Sequence, residues 1–306
     1  MKNLIRLSLL ALLRPTLLTA MVAVLMLLLP DSIAFGQETP PSATIRYKST
    51  LEVAQPPSQF DLIEVVLDFA PGAWTRPHSH GGQGLITVLE GEITLRQEGT
   101  EKVYKAGESW AEQPGAVHQA GNAGDEPAKL AALFLLPKDA QLTTVQETGN
   151  TEQAPPGPTQ LYQSKLEVAQ PPSQFDLVQI VVDFAPGAWT STHSHGGQGL
   201  ITVLEGEVTL RQEGNEKTYK AGETWAEQPG AVHQAGNPTP AQASLAAAFL
   251  LPKGAELTTV QQAAAPATLP QTGGDDSRSL TVWLLLLVGS GLIAGGWFVR
   301  QRVGLR

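Results

Sequence analysis

The stretch Phe60-Asp61-Leu62-Ile63-Glu64-Val65-Val66-Leu67-Asp68-Phe69-Ala70 runs into Pro71-Gly72 and returns 115 residues later as Phe175-Asp176-Leu177-Val178-Gln179-Ile180-Val181-Val182-Asp183-Phe184-Ala185. An apolar, β-branched run that stops at a Pro-Gly break reads as a buried strand. The same offset holds outward at Tyr47 and Tyr162, at Pro137 and Pro252, and at Val145 and Val260, with no insertion or deletion. A unit of this length, present twice, describes a duplicated domain; solenoid repeats are shorter and more numerous.

Each copy carries further strand signals. In the first, residues 85–89 and 93–96 flank a Glu90-Gly91 turn, and the apolar run 130–136 stops at Pro137. Between the two apolar ends of the chain no segment sustains a helical stripe. The reading is all-β, with sandwich or barrel domains at 45–146 and 161–261 and a Pro/Gly/Thr/Gln-rich linker at 147–160.

The histidines follow the duplication. All six belong to two sets, His78, His80, His118 and His193, His195, His233, again 115 apart. Residues two apart on a strand point to one face, and the apolar neighbours of His78 and His80 make that face a barrel interior. His118 approaches from a later strand. Unpartnered imidazoles are costly to bury, and a divalent metal satisfies three together. Neutral nitrogens suit zinc, iron, copper, nickel or manganese, whereas calcium and magnesium prefer oxygen. A metal-free barrel whose histidines bind a ligand or water is the alternative. The chain has no cysteine, so disulfides, thiolate ligands and cysteine nucleophiles are excluded. A net charge of −9 argues against a nucleic-acid partner.

The segment Pro71-Gly72-Ala73-Trp74-Thr75-Arg76-Pro77-His78-Ser79-His80, continued to Leu89-Glu90-Gly91, resembles the first motif of the cupin superfamily, G-x5-H-x-H-x3-E-x6-G. Residues 107–122 resemble the second, G-x5-P-x-G-x2-H-x3-N, through Gly107, Gly115, His118 and Asn122. The second copy matches through Gly187, His193, His195 and Gly206, then Gly222, Gly230, His233 and Asn237. The resemblance implies two jelly-roll (double-stranded β-helix) barrels in tandem, a bicupin, with the histidines as metal ligands. The family's carboxylate ligand falls at Gly84 and Gly199 and is therefore missing. Gln83 and Gln198 stand next to those glycines as possible fourth ligands. Strand alternation puts both on the outer face, and a bulge at Gly81-Gly82 or Gly196-Gly197 would turn them inward. The second motif also departs from the pattern, with Gln113 and Gln228 at its proline position and Pro114 and Pro229 one residue later.

Paired positions differ at the edges of the sites. Trp74 and Trp189 share the face of the first histidine in each set, as pocket wall or as core. Arg76 shares that face in the first copy, but its counterpart is Ser191, so the two pockets are expected to differ in ligand charge.

The ends of the chain carry targeting signals. Residues 1–36 read as a signal peptide: Lys2, Arg6 and Arg14, an uncharged apolar run over 16–29, then Pro30 and a small-x-small site at Ala34-Phe35-Gly36. An uncleaved N-terminal anchor is the alternative. At the other end an Ala/Pro spacer, 262–268, precedes Leu269-Pro270-Gln271-Thr272-Gly273. An apolar run long enough to span a bilayer, 280–299, follows, and then Arg300, Arg302 and Arg306. This order resembles the LPxTG sorting signal and implies a sortase-like transpeptidase partner, with Thr272 joined to the cell envelope; a plain transmembrane helix is the alternative. The expected location is the extracellular surface, wall- or membrane-anchored. Three functions remain open: a metal- and small-ligand-binding protein, a metal-dependent oxygenase or hydrolase, and a structural envelope protein.

Overall fold

The computed structural model describes residues 41–146 and 155–261. The export segment 1–36, the spacer 262–268, the pentapeptide Leu269 to Gly273 and the apolar span 280–299 lie outside the described residues. Among the described residues no helix is long and apolar enough to cross a membrane.

The first copy supplies β1 (Thr44–Val53), β2 (Phe60–Phe69), β3 (His78–His80), β4 (Gln83–Glu90), β5 (Glu92–Gln97), β6 (Thr100–Lys105), β7 (Ser109–Glu112), β8 (His118–Gly121), β9 (Ala128–Pro137) and β10 (Thr143–Val145). The second supplies β11 (Thr159–Val168), β12 (Phe175–Phe184), β13 (His193–His195), β14 (Gln198–Glu205), β15 (Glu207–Gln212), β16 (Asn215–Lys220), β17 (Thr224–Glu227), β18 (His233–Gly236), β19 (Ala243–Pro252) and β20 (Thr258–Val260). They form four five-stranded sheets. The order β11-β2-β9-β4-β7 with β10-β3-β8-β5-β6 encloses the first barrel. The order β1-β12-β19-β14-β17 with β16-β15-β18-β13-β20 encloses the second.

The barrels do not follow the repeat boundary. β1 belongs to the first copy yet pairs antiparallel with β12, and β11 of the second copy pairs with β2. Each barrel thus borrows its outermost strand from the other copy. The chemistry allows the exchange because the two strands are close in sequence, Thr44-Ile45-Arg46-Tyr47-Lys48-Ser49-Thr50-Leu51-Glu52-Val53 against Thr159-Gln160-Leu161-Tyr162-Gln163-Ser164-Lys165-Leu166-Glu167-Val168. Either strand presents the same alternating side chains to either partner.

This arrangement explains why β2 and β12 are apolar on both faces. Val65, Leu67 and Phe69 line the first cavity. Leu62 points the other way and packs with Leu85, Leu133, Leu177 and Leu200 in a cluster shared by both barrels. Phe60 and Phe175 stack there at 6.1 Å. Strands buried on both sides lose their polar alternation. Polar pairs interrupt the shared interface: Ser49 with Thr87 and Ser164 with Thr202, each hydroxyl pair at 3.0 Å, and Glu64 with Gln179. Gln179 Nε2 donates to Glu64 Oε1 at 3.3 Å, while Glu64 Oε2 and Gln179 Oε1 have no partner among the described residues. Burial pushes the Glu64 carboxyl up to about 7, against hydrogen bonds from Thr202 and Gln179 that act the other way. Protonating Oε2 supplies the donor that the unpaired oxygens lack.

Candidate metal centres

β3 and β8 bring the three histidines of the first copy together, with His78 opposite His118 in the ladder. His193 stands opposite His233 in the second. All six are buried. In each set the ligand nitrogens lie within 4.8 Å of one another. The sequence expected both clusters from spacing.

The second ring nitrogens fix the tautomers. His78 Nδ1 lies 2.7 Å from the Arg76 carbonyl, His80 Nδ1 2.8 Å from that of Leu142, and His118 Nδ1 3.1 Å from that of Ala116. His193, His195 and His233 repeat this with Ser191, Leu257 and Ala231 at 2.7, 2.8 and 3.0 Å. A carbonyl oxygen only accepts, so every Nδ1 carries the proton and every neutral ring presents an Nε2 lone pair. Burial pushes His78 down to about 4, with the nearby His118 adding to the effect, and pushes His195 down to about 4; at His118 burial acts the same way but is outweighed by Glu112, which raises it. Neutral rings are the form that ligates. His193 and His195 hold their Nε2 atoms 3.1 Å apart. Two lone pairs at that distance repel unless a cation lies between them.

A residue that sequence reading passed over completes the cluster. Glu112, at the end of β7, is 5 % exposed. Its Oε1 accepts from Trp110 Nε1 at 2.9 Å and lies 3.1 Å from His118 Nε2. Its Oε2 lies 3.5 Å from His80 Nε2 and has no hydrogen-bond partner. Glu227 repeats the arrangement: Trp225 Nε1 at 2.9 Å, His233 Nε2 at 3.2 Å, and an unpartnered Oε2 at 3.6 Å from His195 Nε2. The available signal was the hexapeptide Trp-Ala-Glu-Gln-Pro-Gly, identical at 110–115 and 225–230, with the indole and carboxylate two apart and so on one face.

Gln83 and Gln198 are half-buried and line neither cavity. From these residues on, β4 pairs with β9 in unbroken register from Gln83–Leu135 to Val88–Leu130, and β14 pairs with β19 likewise from Gln198–Leu250, so strand alternation keeps both glutamines off the cavity face. Gly84 stands directly opposite Glu112, and Gly199 opposite Glu227. A Cβ at Gly84 would lie 2.8 Å from Phe134 Cε1, and that ring packs on His80 with centroids 4.2 Å apart. The aromatic ring fills the space over the glycine, and the carboxylate arrives from the neighbouring strand.

A cavity of about 410 Å³ adjoins the first cluster and one of about 270 Å³ the second. Both are walled mainly by aliphatic and aromatic side chains. Trp74 and Trp189 line them, as parity allowed. Each indole lies flat on a glycine, Gly121 or Gly236, where any Cβ would collide with it. Arg96 and Arg211 cover the indoles, each 3.6 Å from the ring centroid. The mouths are built by the segments that lead into the exchanged strands. Pro155, Gly157 and Pro158 border the first cavity, with Trp74 N donating to the Pro156 carbonyl at 2.9 Å. Ser42, Ala43 and Ile45 border the second, with Trp189 N donating to Pro41 at 3.3 Å. Arg76 lines the first cavity and Ser191 the second. Asn122, a motif residue, is structural: its Nδ2 donates to the carbonyls of Phe69 and Glu126 at 3.1 and 2.7 Å.

No curated protein matches the chain. Among solved structures, AerE from Microcystis aeruginosa is similar at 15 % identity and a TM-score of 0.43, over 69 % of this chain and 98 % of that one. The oxalate decarboxylase formate complex of Lactobacillus farciminis is similar at 16 % and 0.45, over 71 % and 86 %. The W104Y mutant of salicylate 1,2-dioxygenase from Pseudoaminobacter salicylatoxidans is similar at 14 % and 0.41, over 70 % and 81 %. The family model for the cupin domain matches residues 65–135 and again 180–249, so the chain carries two cupin domains in tandem.

Proposed function

We propose that the chain is a surface-anchored bicupin in which each barrel holds one divalent transition metal on three imidazoles and receives a small, largely apolar ligand in the adjoining cavity. One observation carries the reading. In each barrel three Nε2 lone pairs converge on one space, with every Nδ1 committed elsewhere. Such a donor set fits a borderline cation, zinc, iron, copper, nickel or manganese. Once bound, the metal supplies a Lewis-acid centre for an oxygen or nitrogen donor of the ligand. The chain's residues do the rest. Backbone carbonyls of Arg76, Leu142 and Ala116 hold the rings in place, Trp74 and Trp189 wall the cavities, and exposed Val145, Ile45 and Val260 give the mouths apolar rims. Reconstitution with each of the five metals, followed by elemental analysis, is expected to give about two metals per chain. A chain that stays metal-free with all five overturns the proposal.

The cavities favour a protein that uses a ligand over barrels that merely pack. They also admit a second reading, a metal-dependent oxygenase or hydrolase acting on that small ligand. The surface location rests on the sequence order of pentapeptide, apolar run and terminal arginines. It places a sortase-like transpeptidase and the cell envelope among the partners. Wall-linked protein whose mass ends at Thr272 would support it. Detergent-released protein running to Arg306 would leave a membrane-anchored protein instead.

A further inference from the structure

We propose that Glu112 and Glu227 are the fourth protein ligands of the two metal centres, each binding through Oε2. The inference rests on the metal-site reading above and goes beyond it by assigning a ligand outside the histidine triads.

Three observations point to ligation. The first is the division of labour within the carboxylate. Trp110 Nε1 donates to Oε1 at 2.9 Å, which fixes the plane of the group and leaves Oε2 buried, unpartnered and 3.5 Å from His80 Nε2. A carboxylate oxygen that is buried without a donor is expensive, and Glu227 has the same unpartnered Oε2. A defect kept in both copies has a use.

The second is the identity of its neighbours. The ring nitrogens nearest to Glu112 are Nε2 atoms, whose tautomer is set by the carbonyls behind the rings. Neutral rings offer the carboxylate lone pairs rather than protons; a charged His118, which Glu112 favours, would donate to Oε1 and still leave Oε2 without a donor. A shared cation resolves both the repulsion among the rings and the lack of a donor for the carboxylate.

The third is space. Opposite Glu112 in the ladder stands Gly84, with the Phe134 ring over it. The residue facing the carboxylate therefore has no side chain that could compete for the cluster. Gly199 and Phe249 do the same opposite Glu227. A divalent ion bound by three neutral imidazoles and one carboxylate keeps a net charge of +1, less costly to hold beside an apolar cavity than +2.

The test compares the wild-type chain with the double variant Glu112→Gln/Glu227→Gln, titrated with zinc(II) in competition with a chromogenic chelator. The amide is isosteric and keeps an oxygen for the Trp110 and Trp225 indoles. Wild type is expected to bind about two zinc ions. The double variant should still bind two, with affinity at each site lower by at least about tenfold, the low end of what loss of a partner to a metal ligand costs. Its metal-free melting temperature should be equal to or above that of wild type, because a buried charge has been removed. Wild type without zinc binding overturns the metal-site reading itself. Two zinc ions in both proteins at equal affinity overturn the carboxylate assignment alone. A fall in metal-free stability with unchanged zinc affinity also overturns it, in favour of a histidine–glutamate ion pair. If the double variant does not fold, Trp110→Phe/Trp225→Phe carries the test. Loss of the indole donor should weaken zinc binding by a smaller factor, and unchanged affinity counts against ligation.

Discussion

In the first barrel the mouth is bordered by Arg76 and by Pro155, Gly157 and Pro158, and the cavity measures about 410 Å³. In the second it is bordered by Ser191 and by Ser42, Ala43 and Ile45, and the cavity measures about 270 Å³. At the histidine clusters the geometric difference disappears. Histidine-to-carbonyl distances agree within about 0.1 Å between the copies, and so do the contacts of Glu112 and Glu227. The centres are set by β3, β7 and β8, or β13, β17 and β18, each within one copy. The mouths are finished by the lead-in to a strand borrowed from the other copy, where the sequences differ. The comparison assigns a common metal chemistry to both barrels and separate ligand preferences to their mouths.

The largest effect expected from making the copies alike is at the interface, where Glu64 in one copy corresponds to Gln179 in the other. The folded chain holds the Glu64 proton up to about 7, while a carboxyl freed by unfolding releases it near 4.5. The folded state therefore binds more protons across that window. Stability from this group is complete below about 4.5 and falls as pH rises toward 7. The loss amounts to roughly 3 kcal/mol. Glu64→Gln should remove this slope and raise the melting temperature at pH 8, leaving stability near pH 4.5 little changed. Parallel pH curves for variant and wild type would show that Glu64 is not the group responsible.

A smaller effect tests the likeness of the centres. Restoring the family's glutamate by Gly84→Glu would, from sequence alone, be expected to tighten metal binding. The Phe134 ring reverses that expectation, since a Cβ would stand 2.8 Å from its Cε1. The variant should lose about 1–3 kcal/mol of stability through overpacking, and Gly199→Glu should lose a similar amount against Phe249. Chemical denaturation of both variants measures it; two stable variants with tighter metal binding would mean that the rings give way.

The smallest effect is at the mouths. Arg76 is solvent-exposed, so its attraction for an anion is screened and worth at most about 1 kcal/mol. Arg76→Ser should weaken binding of benzoate to the metal-loaded first barrel by a few-fold, and Ser191→Arg should strengthen it in the second. Calorimetry on chains with one triad removed separates the two sites. No change in either variant would end the assignment of ligand charge to these positions.

The strands and both histidine clusters were legible in the sequence because repetition doubles every signal: an apolar run that recurs at a fixed offset, and six histidines that sort into two sets. Three features were not legible. The strand exchange was hidden because β1 and β11 carry nearly the same side-chain pattern, so pairing within or between copies satisfies the same register. Glu112 was hidden because β7 is four residues long and shows no apolar run. Its place in the cluster depends on the β4–β7 ladder, which sets it opposite Gly84. Gln83 drew attention by its closeness to the glycine in sequence, but strand alternation kept it away from the histidines. The polar pair Glu64–Gln179 was visible only as two residues in an otherwise apolar run, since burial on the outer face arises from the second barrel.

The central claim is that each barrel holds its own metal on its own three histidines. It is tested most directly by counting bound metal in four chains reconstituted side by side: wild type, His78→Ala/His80→Ala/His118→Ala, His193→Ala/His195→Ala/His233→Ala, and the combination of both. The account predicts about two, one, one and no metals per chain, with circular dichroism unchanged. A wild-type chain with no metal, or a count that stays at two when either triad is removed, would contradict it.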